Sequence, residues 1–442
     1  MSRRKHKKLP AGEFQATVTH LSHDGRGIAK IDGKTTFLFG ALPNEEVKFQ
    51  YTNKRSTFDE GSVTEVLSPS PDRIDPQCAH FGVCGGCSLQ HMKPELQVDS
   101  KQAAFLELLQ HQAQVQPESL LPPLTANAWQ YRRKARLSAK YVAPKEKVVV
   151  GFREKNGHFI ANIDRCSILH ASIGEHIEDI GQALYQLECR DKIPQVEIVV
   201  DDTDTAIIVR HMVPLLDEDI NALRTLAEKQ GYRLYLQSKG PDTITLNWPE
   251  NAPVLMHYSL PNFGVEFDFH PAQFTQINTE INHKMVACAI ELLELTEEDS
   301  VLDLFCGIGN FTLPIAKHCL KVVGVEGQQS AVDMAKHNAT INNINNTEFY
   351  CSNLFEPLAE QDWSLQPYTK LVLDPPRAGA AEVIQALNTH SISTIVYISC
   401  NPATLARDTK LLVDRGYRLI KAGVMDMFPH TQHVEAMALF KK

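Results

Sequence analysis

Hydrophobic and polar positions change rhythm three times along this chain. From Glu13 to Val66 short alternating runs (FQATVTHL, GIAKI, TTFLF, EVKFQYT and GSVTEVL) are separated by turn-forming residues, and Asp32-Gly33 marks a tight hairpin. This pattern predicts a small all-β barrel. The stretch LSPSPDRIDP, rich in Pro, Ser and Asp, reads as a linker and places a first domain at residues 1–70. Leu96, Phe105, Leu108 and Leu109 then recur at helical spacing over 94–112, a helix that would pack on the last domain. Residues 126–264 read mainly as strands, with helices near 172–188 and 217–230, so 71–265 forms a central α+β domain. Beyond about 272 strands and helices alternate: VLDLF and a helix to His318, KVVGVE and a helix to Asn342, KLVLDPP, TIVYISC, and a closing pair, YRLIKAGVMDMF and EAMALF. That alternation predicts an α/β domain over 266–442, a largely parallel sheet with helices on both faces.

At 442 residues the chain is too long for one ordinary core, and 43% hydrophobic with 22% charged residues is a globular composition. No apolar run approaches the about 18 residues that a membrane helix needs. The basic opening leads into polar, strand-like sequence rather than a signal peptide, so export is not expected. Ten cysteines in such a chain point to reduced thiols, a metal or cluster, or catalysis, and to the cytoplasm. A net charge of -9 argues against indiscriminate coating of nucleic acid, and any such partner has to meet local basic surfaces. Two runs offer them: Arg3, Arg4, Lys5, Lys7 and Lys8, then Arg132, Arg133, Lys134 and Arg136 after Trp129 and Tyr131. A solvated tail and a charged strand face are the plainer reading of both.

In VLDLFCGIGNFTL a buried strand ends at Asp303 and enters Gly307-Ile308-Gly309 before a helix. Glycines let the backbone approach a ligand, and a helix N-terminus offers free N–H groups. Thr312 stands where a dinucleotide enzyme favours a third glycine, and Glu326 closes the next strand, where a carboxylate can accept both ribose hydroxyls. Over about the last 170 residues the chain resembles the Rossmann-like class I methyltransferases that use S-adenosylmethionine. That resemblance implies cofactor positions at Phe305, Asn310, Glu326, Asn353 on the adenine side and Asp374 on the methionine side.

Cys400 ends TIVYISC and is followed by Asn401-Pro402 and a helix, so it sits at the carboxyl edge of a parallel strand. A helix N-terminus nearby should favour its thiolate. A buried structural cysteine is the commoner fate of a lone Cys, and is expected for Cys189, Cys288, Cys306, Cys319 and Cys351. The string ISCNPATLARD resembles the nucleophile motif of the uracil-5 RNA methyltransferases, and FPHTQHVEAMALF resembles their C-terminal motif. DPPRAG and HPAQFTQIN complete the likeness. The resemblance implies that Cys400 adds to carbon 6 of uracil, that carbon 5 then takes the methyl group, and that Glu435 removes the carbon 5 proton. It also implies that Gln276 contacts the cofactor and the uracil. Arg377 replaces the aromatic residue that amino-methyltransferases carry after D-P-P, which weakens an N-methylation reading. A target base stacked in folded RNA has to be turned out, and Trp129, Tyr131, Arg132 and Phe274 are candidates to hold it.

Cys78, Cys84 and Cys87 follow C-x5-C-x2-C, and Cys166 in DRCSILH is the natural fourth ligand. Spacing alone leaves zinc and an iron-sulfur cluster open. The pattern resembles that of the uracil-5 methyltransferases of bacterial 23S ribosomal RNA, which implies a 4Fe-4S cluster. Residues 12–70 are similar to a TRAM domain, an RNA-binding barrel, with Asn44 where the family often has Gly; Asn also adopts left-handed angles. The whole resemblance therefore implies a multidomain enzyme: an OB-like β-barrel, a central α+β domain with the cluster, and a Rossmann-like α/β methyltransferase domain. 23S ribosomal RNA is the implied partner, with no membrane, and the chain is expected to be a monomer.

Overall fold

The computed structural model describes residues 9–442 apart from 23, 156 and 357–360, so the basic run Arg3 to Lys8 lies outside the described residues. Contacts divide the chain into two compact units. One takes in the described residues up to Ala104 with Glu154–Gly157 and Phe428–His433; the other takes in Phe105–Arg153, His158–Met427 and Val434–Lys442.

The first unit is built on a six-stranded sheet in the order Phe14–Thr17, Glu46–Lys54, Phe58–Ser68, Lys34–Phe39, Gly27–Ile31, His20–Leu21. Alternation along these strands buries Ala29, Leu38, Val47 and Phe49, and Val18 from the first connection joins them. Asp32 and Gly33 take positive φ of 49° and 80° at the hairpin, and Asn44 turns the chain at φ 65°. Glu45 is wholly buried and accepts from the Leu42 and Ser70 N–H groups (2.7 and 3.1 Å) and from the Arg73 guanidinium. The helix Pro94–Leu108 starts in this unit, and the chain continues as one wider turn over Leu109–Ala113.

In the second unit a six-stranded sheet runs Ile244–Trp248, Tyr232–Gln237, Thr205–Arg210, Gln195–Val200, Lys134–Val142, Lys147–Gly151. The helix expected over 172–188 is split into Ala171–Gly174 and Ile177–Gln186. The bond that would join the halves is diverted: the Gly174 carbonyl accepts from Cys166 N (2.8 Å), and Glu178 N donates to the Asp164 carbonyl (3.1 Å).

The same unit holds an eight-stranded sheet in the order Thr347–Cys351, Lys321–Glu326, Ser300–Leu304, Lys370–Leu373, Thr394–Ser399, Glu435–Lys441, Arg418–Met425, Ser119–Leu120. The first five strands are parallel, and Glu435–Lys441 runs antiparallel to both of its neighbours. Ser119–Leu120 adds a short parallel edge from far earlier in the chain. The turn Leu109–Ala113 packs on the helix Pro402–Asp414. After Gly309 only Thr312–Ala316 is helical, not the whole stretch to His318. Gly307 and Gly309 hold positive φ of 55° and 96°, which delays the helix, and Pro314 can sit only in its first turn.

Asp408 anchors the sheet's helix layer. It is fully buried and accepts from the Tyr397 hydroxyl (2.7 Å), the Ala380 N–H (2.7 Å) and Arg407 Nε (2.8 Å). A Cβ on Gly379, which sits at φ 83°, would meet Arg407 and Asp408 at 2.5 and 2.6 Å. Asp408→Ala therefore strands buried donors, and urea denaturation is expected to show a loss of about 3–5 kcal/mol. A loss below about 1 kcal/mol contradicts this account.

Candidate active site

Strand order brings the site together at the carboxyl edge of the eight-stranded sheet. Asp303 lies in the strand Ser300–Leu304, Glu326 ends its neighbour, Asp374 follows Lys370–Leu373, and Cys400 follows Thr394–Ser399. Glu435 opens the antiparallel strand, where Ser399 pairs with Ala436. Cys400 and Glu435 are the next residues on each side of that pair, so one register sets thiol and carboxyl on the same edge.

Burial governs the charges there. Asp303 is inaccessible to solvent; Oδ2 accepts from the Thr312 hydroxyl and Oδ1 has no hydrogen-bond partner. Burial pushes its carboxyl up to about 7, and Asp374 and Glu326 add to the rise. Asp374 is likewise pushed up to about 7 by burial. Glu435 is 7% exposed, and burial, then the neighbouring Asp374, push it up to about 8 while Arg377 opposes the rise. The Cys400 thiol is pushed up to about 11 by burial, then by Glu435 and Asp374, with Arg377 again opposing. The expectation that the helix N-terminus favours a thiolate does not hold. Asn401 caps the helix itself by accepting from Ala403 N (3.2 Å), and burial, reinforced by two carboxyls, outweighs what remains.

The expected cofactor positions fall in three groups. Glu326 accepts from Gly307 N (3.2 Å) and Gln328 N (3.1 Å), which ties the glycine loop to the end of the second strand. Phe305 is held at φ 65° and sets its ring 5.8 Å from that of Phe355. Asn353 is exposed after Thr347–Cys351, accepting from Phe355 N and donating to Glu356. Asn310 does not start a helix. Its amide exchanges hydrogen bonds with Asn282 (2.9 and 3.1 Å) and accepts from the Tyr258 hydroxyl (3.0 Å), which fastens the loop to the helix Thr279–Leu293. Gln276 is half-buried on the segment entering that helix, which Asn278 caps.

Arg132, Arg133 and Lys134 face inward more than expected, while Arg136 is exposed. Tyr131 is buried, and Lys134 Nζ donates to the Pro271 and Gln273 carbonyls (2.8 and 2.5 Å). Arg133 spends its guanidinium on the Asp201 carbonyl, and Arg132 lies over the Phe152 ring at 5.6 Å. Phe274, 74% exposed, is the most open of the base-holding candidates, and Trp129 and Arg132 are half-buried. Of the cysteines expected to be buried, Cys306 is; Cys189, Cys288 and Cys319 are only half-buried, and Cys351 is exposed at the end of an edge strand.

Cys78, Cys84 and Cys87 share one loop of the first unit, and Cys166 belongs to the second. No described cysteine forms a disulfide, and Gly86 N donates to Cys84 Sγ at 3.4 Å. Among the described residues no three His, Cys, Asp or Glu side chains converge closely enough to hold a metal ion. No described helix is long and apolar enough to cross a membrane.

Five parallel strands, an inserted antiparallel strand and a glycine loop at the carboxyl edge define a Rossmann-like class I methyltransferase. The crystal structure of Pyrococcus abyssi tRNA (uracil-54, C5)-methyltransferase in complex with S-adenosyl-L-homocysteine has this fold, with a TM-score of 0.74 and 23% identity over 97% of this chain and 100% of that one. The family described as tRNA (uracil-5-)-methyltransferase matches residues 163–442, and the chain belongs to it. Proteins named 23S rRNA (uracil(1939)-C(5))-methyltransferase RlmD are 50% identical in Francisella tularensis subsp. novicida and 48% identical in Alcanivorax borkumensis, each over 99% of both chains. The Legionella pneumophila protein of that name is 46% identical over 98% of both.

Glu435, with its carboxyl raised to about 8, is neutral in the ligand-free fold well above the pH at which it ionises in the unfolded chain. Its contribution is complete below about pH 4.5 and is lost as pH climbs through about 8. Glu435→Gln is therefore expected to stabilise the ligand-free protein by about 1–4 kcal/mol at pH 8.5, a gain that vanishes near pH 4.5. Urea denaturation across that range checks it, and a difference independent of pH contradicts it.

Proposed function

We propose that this chain transfers the methyl group of S-adenosylmethionine to carbon 5 of a uridine in 23S ribosomal RNA, uracil 1939 in the numbering that the relatives' names carry. The observation that carries the reading is the Ser399–Ala436 pairing, which sets Cys400 and Glu435 side by side on the carboxyl edge of the sheet. Uracil carbon 5 is too poor a nucleophile to attack a sulfonium methyl unaided. Addition of the Cys400 sulfur at carbon 6 makes an enolate whose carbon 5 attacks the methyl group, and S-adenosylhomocysteine leaves. Glu435 then takes the carbon 5 proton, and the electron pair left behind expels the thiolate from carbon 6.

Burial and neighbouring carboxyls weaken the acidity of both groups, pushing the Cys400 thiol up to about 11 and the Glu435 carboxyl up to about 8. Arg377 and a cationic donor both favour the ionised forms that the reaction needs. Glu326 takes the ribose, Phe305 and Asn353 the adenine side, Asp374 the methionine side, and Gln276 the cofactor and uracil. Asn310 serves the same pocket by locking its loop through Asn282 and Tyr258.

Residues 1–70 act as the RNA-binding barrel, 71–265 as the module that carries the cluster, and 266–442 as the catalytic domain. Cys78, Cys84, Cys87 and Cys166 hold a 4Fe-4S cluster. Four thiolates suit it, and the Gly86 N–H on Cys84 Sγ is the kind of bond that supports a ligating sulfur. Uridine methylation moves no electron, so the cluster's part is structural. The protein works as a cytoplasmic monomer.

Cys400→Ala is expected to abolish formation of 5-methyluridine in a 23S ribosomal RNA transcript, a loss of more than about 1000-fold, with S-adenosylmethionine affinity within about twofold of wild type. Retained turnover defeats the covalent mechanism, and label recovered on an exocyclic nitrogen defeats carbon alkylation. Anaerobically purified protein is expected to be coloured and to hold about four iron and four sulfide per chain. Colourless protein with stoichiometric zinc refutes the cluster.

A further inference from the structure

Lys134 has no part in the chemistry above, yet it is a largely buried cation whose donors are held by backbone carbonyls. Its ammonium points inward and donates to the Pro271 and Gln273 carbonyls at 2.8 and 2.5 Å. Burial lowers it to about 8, with Glu197 opposing and Arg136 reinforcing the shift. An ammonium drawn out of water in this way is retained only where its protons find firm acceptors. Both acceptors lie in the segment His270–Asn278, and the neighbouring residues grip the same segment. Arg133 N donates to the Ile277 carbonyl (2.8 Å), and Arg132 forms a β-bridge with Asn278. From the other side the Gln273 amide donates to the Ser330 carbonyl (2.9 Å), four residues beyond Glu326. Phe274, Thr275 and Gln276 sit between these anchors, and Phe274 projects into solvent.

We infer that Lys134 is a positioning residue for methyl transfer: it clamps the Pro271–Gln273 turn so that Phe274 and Gln276 are presented in one fixed geometry to the reacting base. A basic residue in a stretch rich in Arg and Lys would otherwise be assigned to phosphate contacts, and the two assignments separate cleanly. A phosphate contact is lost in KM for RNA and depends on salt. A clamp is lost in the rate of the chemical step, because misplacing a reacting group by about 1 Å costs about 100-fold. The inference rests on the uracil-5 reading for the roles of Phe274 and Gln276, but the clamp itself is observable without substrate.

The test uses the full-length protein with Lys134→Met, Lys134→Arg, Gln276→Ala and the Lys134→Met/Gln276→Ala pair. Chymotrypsin cleavage after Phe274 in the ligand-free protein is expected to quicken by about tenfold in Lys134→Met, with cleavage elsewhere unchanged, because the turn loses its anchor. Single-turnover methyl transfer is expected to fall about 10- to 100-fold in Lys134→Met, with KM for RNA within about twofold. Lys134→Arg, which keeps the charge and the donors, is expected to recover most of the rate. The paired variant should be no slower than Gln276→Ala, since both changes act on one group. Unchanged cleavage after Phe274, a loss confined to KM for RNA, or fully multiplicative rates in the pair overturns the inference. If Lys134→Met does not accumulate folded, Lys134→Gln, whose amide can still reach one carbonyl, carries the same comparisons. Full activity in Gln276→Ala would fault the reading of that residue, while the cleavage result would still decide the clamp.

Discussion

Two acidic groups and a thiol share the dry edge of one sheet because a single antiparallel strand is inserted between two others. Pairing of Ser399 with Ala436 makes Cys400 and Glu435 neighbours, and Asp374 approaches from the adjoining parallel strand. Each would ionise readily in water. Here burial alone holds Asp374 protonated to unusually high pH, and burial with repulsion from neighbouring carboxyls does the same for Cys400 and Glu435, with Arg377 as the counterweight among the residues that act on those two. The fold thus favours positive charge at the edge where the proposed reaction seats a sulfonium donor. Under that proposal, cofactor binding is linked to the activation of nucleophile and base.

Precision at this edge depends on elements far from it in sequence. The cofactor loop is tied down by Glu326 at Gly307 and by Asn282 and Tyr258 at Asn310. Ile308, at its tip, is packed in one apolar cluster with Val199, Ala206 and Ile208 of the central sheet and with Ala331. The central sheet is therefore part of the catalytic framework: its first strand begins at Lys134, and its apolar face supports the glycine loop. The edge strand Ser119–Leu120 and the turn Leu109–Ala113 extend the same dependence to residues before the central sheet.

Much of this was legible in the chain because burial leaves strong patterns. Continuous apolar runs in VLDLF, KLVLD and TIVYIS mark parallel strands, so Asp303, Asp374 and Cys400 are placed near strand ends by the sequence pattern alone. Asp32-Gly33 and Asn44 announced turns whose backbone angles are indeed positive. What escaped was decided by long-range partners. The helix over 172–188 breaks because Asp164 and Cys166 capture its backbone groups. Asn310 looks like a helix start, but its amide is consumed by Asn282, a residue whose relevance no local spacing reveals. Arg133 and Lys134 read as a solvated basic stripe, and only the fold shows that their donors are spent on backbone carbonyls: Lys134 on Pro271 and Gln273, the Arg133 guanidinium on Asp201 and the Arg133 N–H on Ile277. The acidities of Cys400 and Glu435 depend on distances between strands that a linear pattern does not contain.

The division of labour between sulfur and carboxyl is tested most directly by removing the base and leaving the nucleophile. Glu435→Gln incubated with S-adenosylmethionine and an ordinary uridine-containing 23S ribosomal RNA fragment should stall after methylation, because the carbon 5 proton has no acceptor. Mass spectrometry of the digested protein should then find the Cys400 peptide carrying a methylated uridine. A variant that turns over and releases 5-methyluridine, or an adduct on any cysteine other than Cys400, would contradict the account.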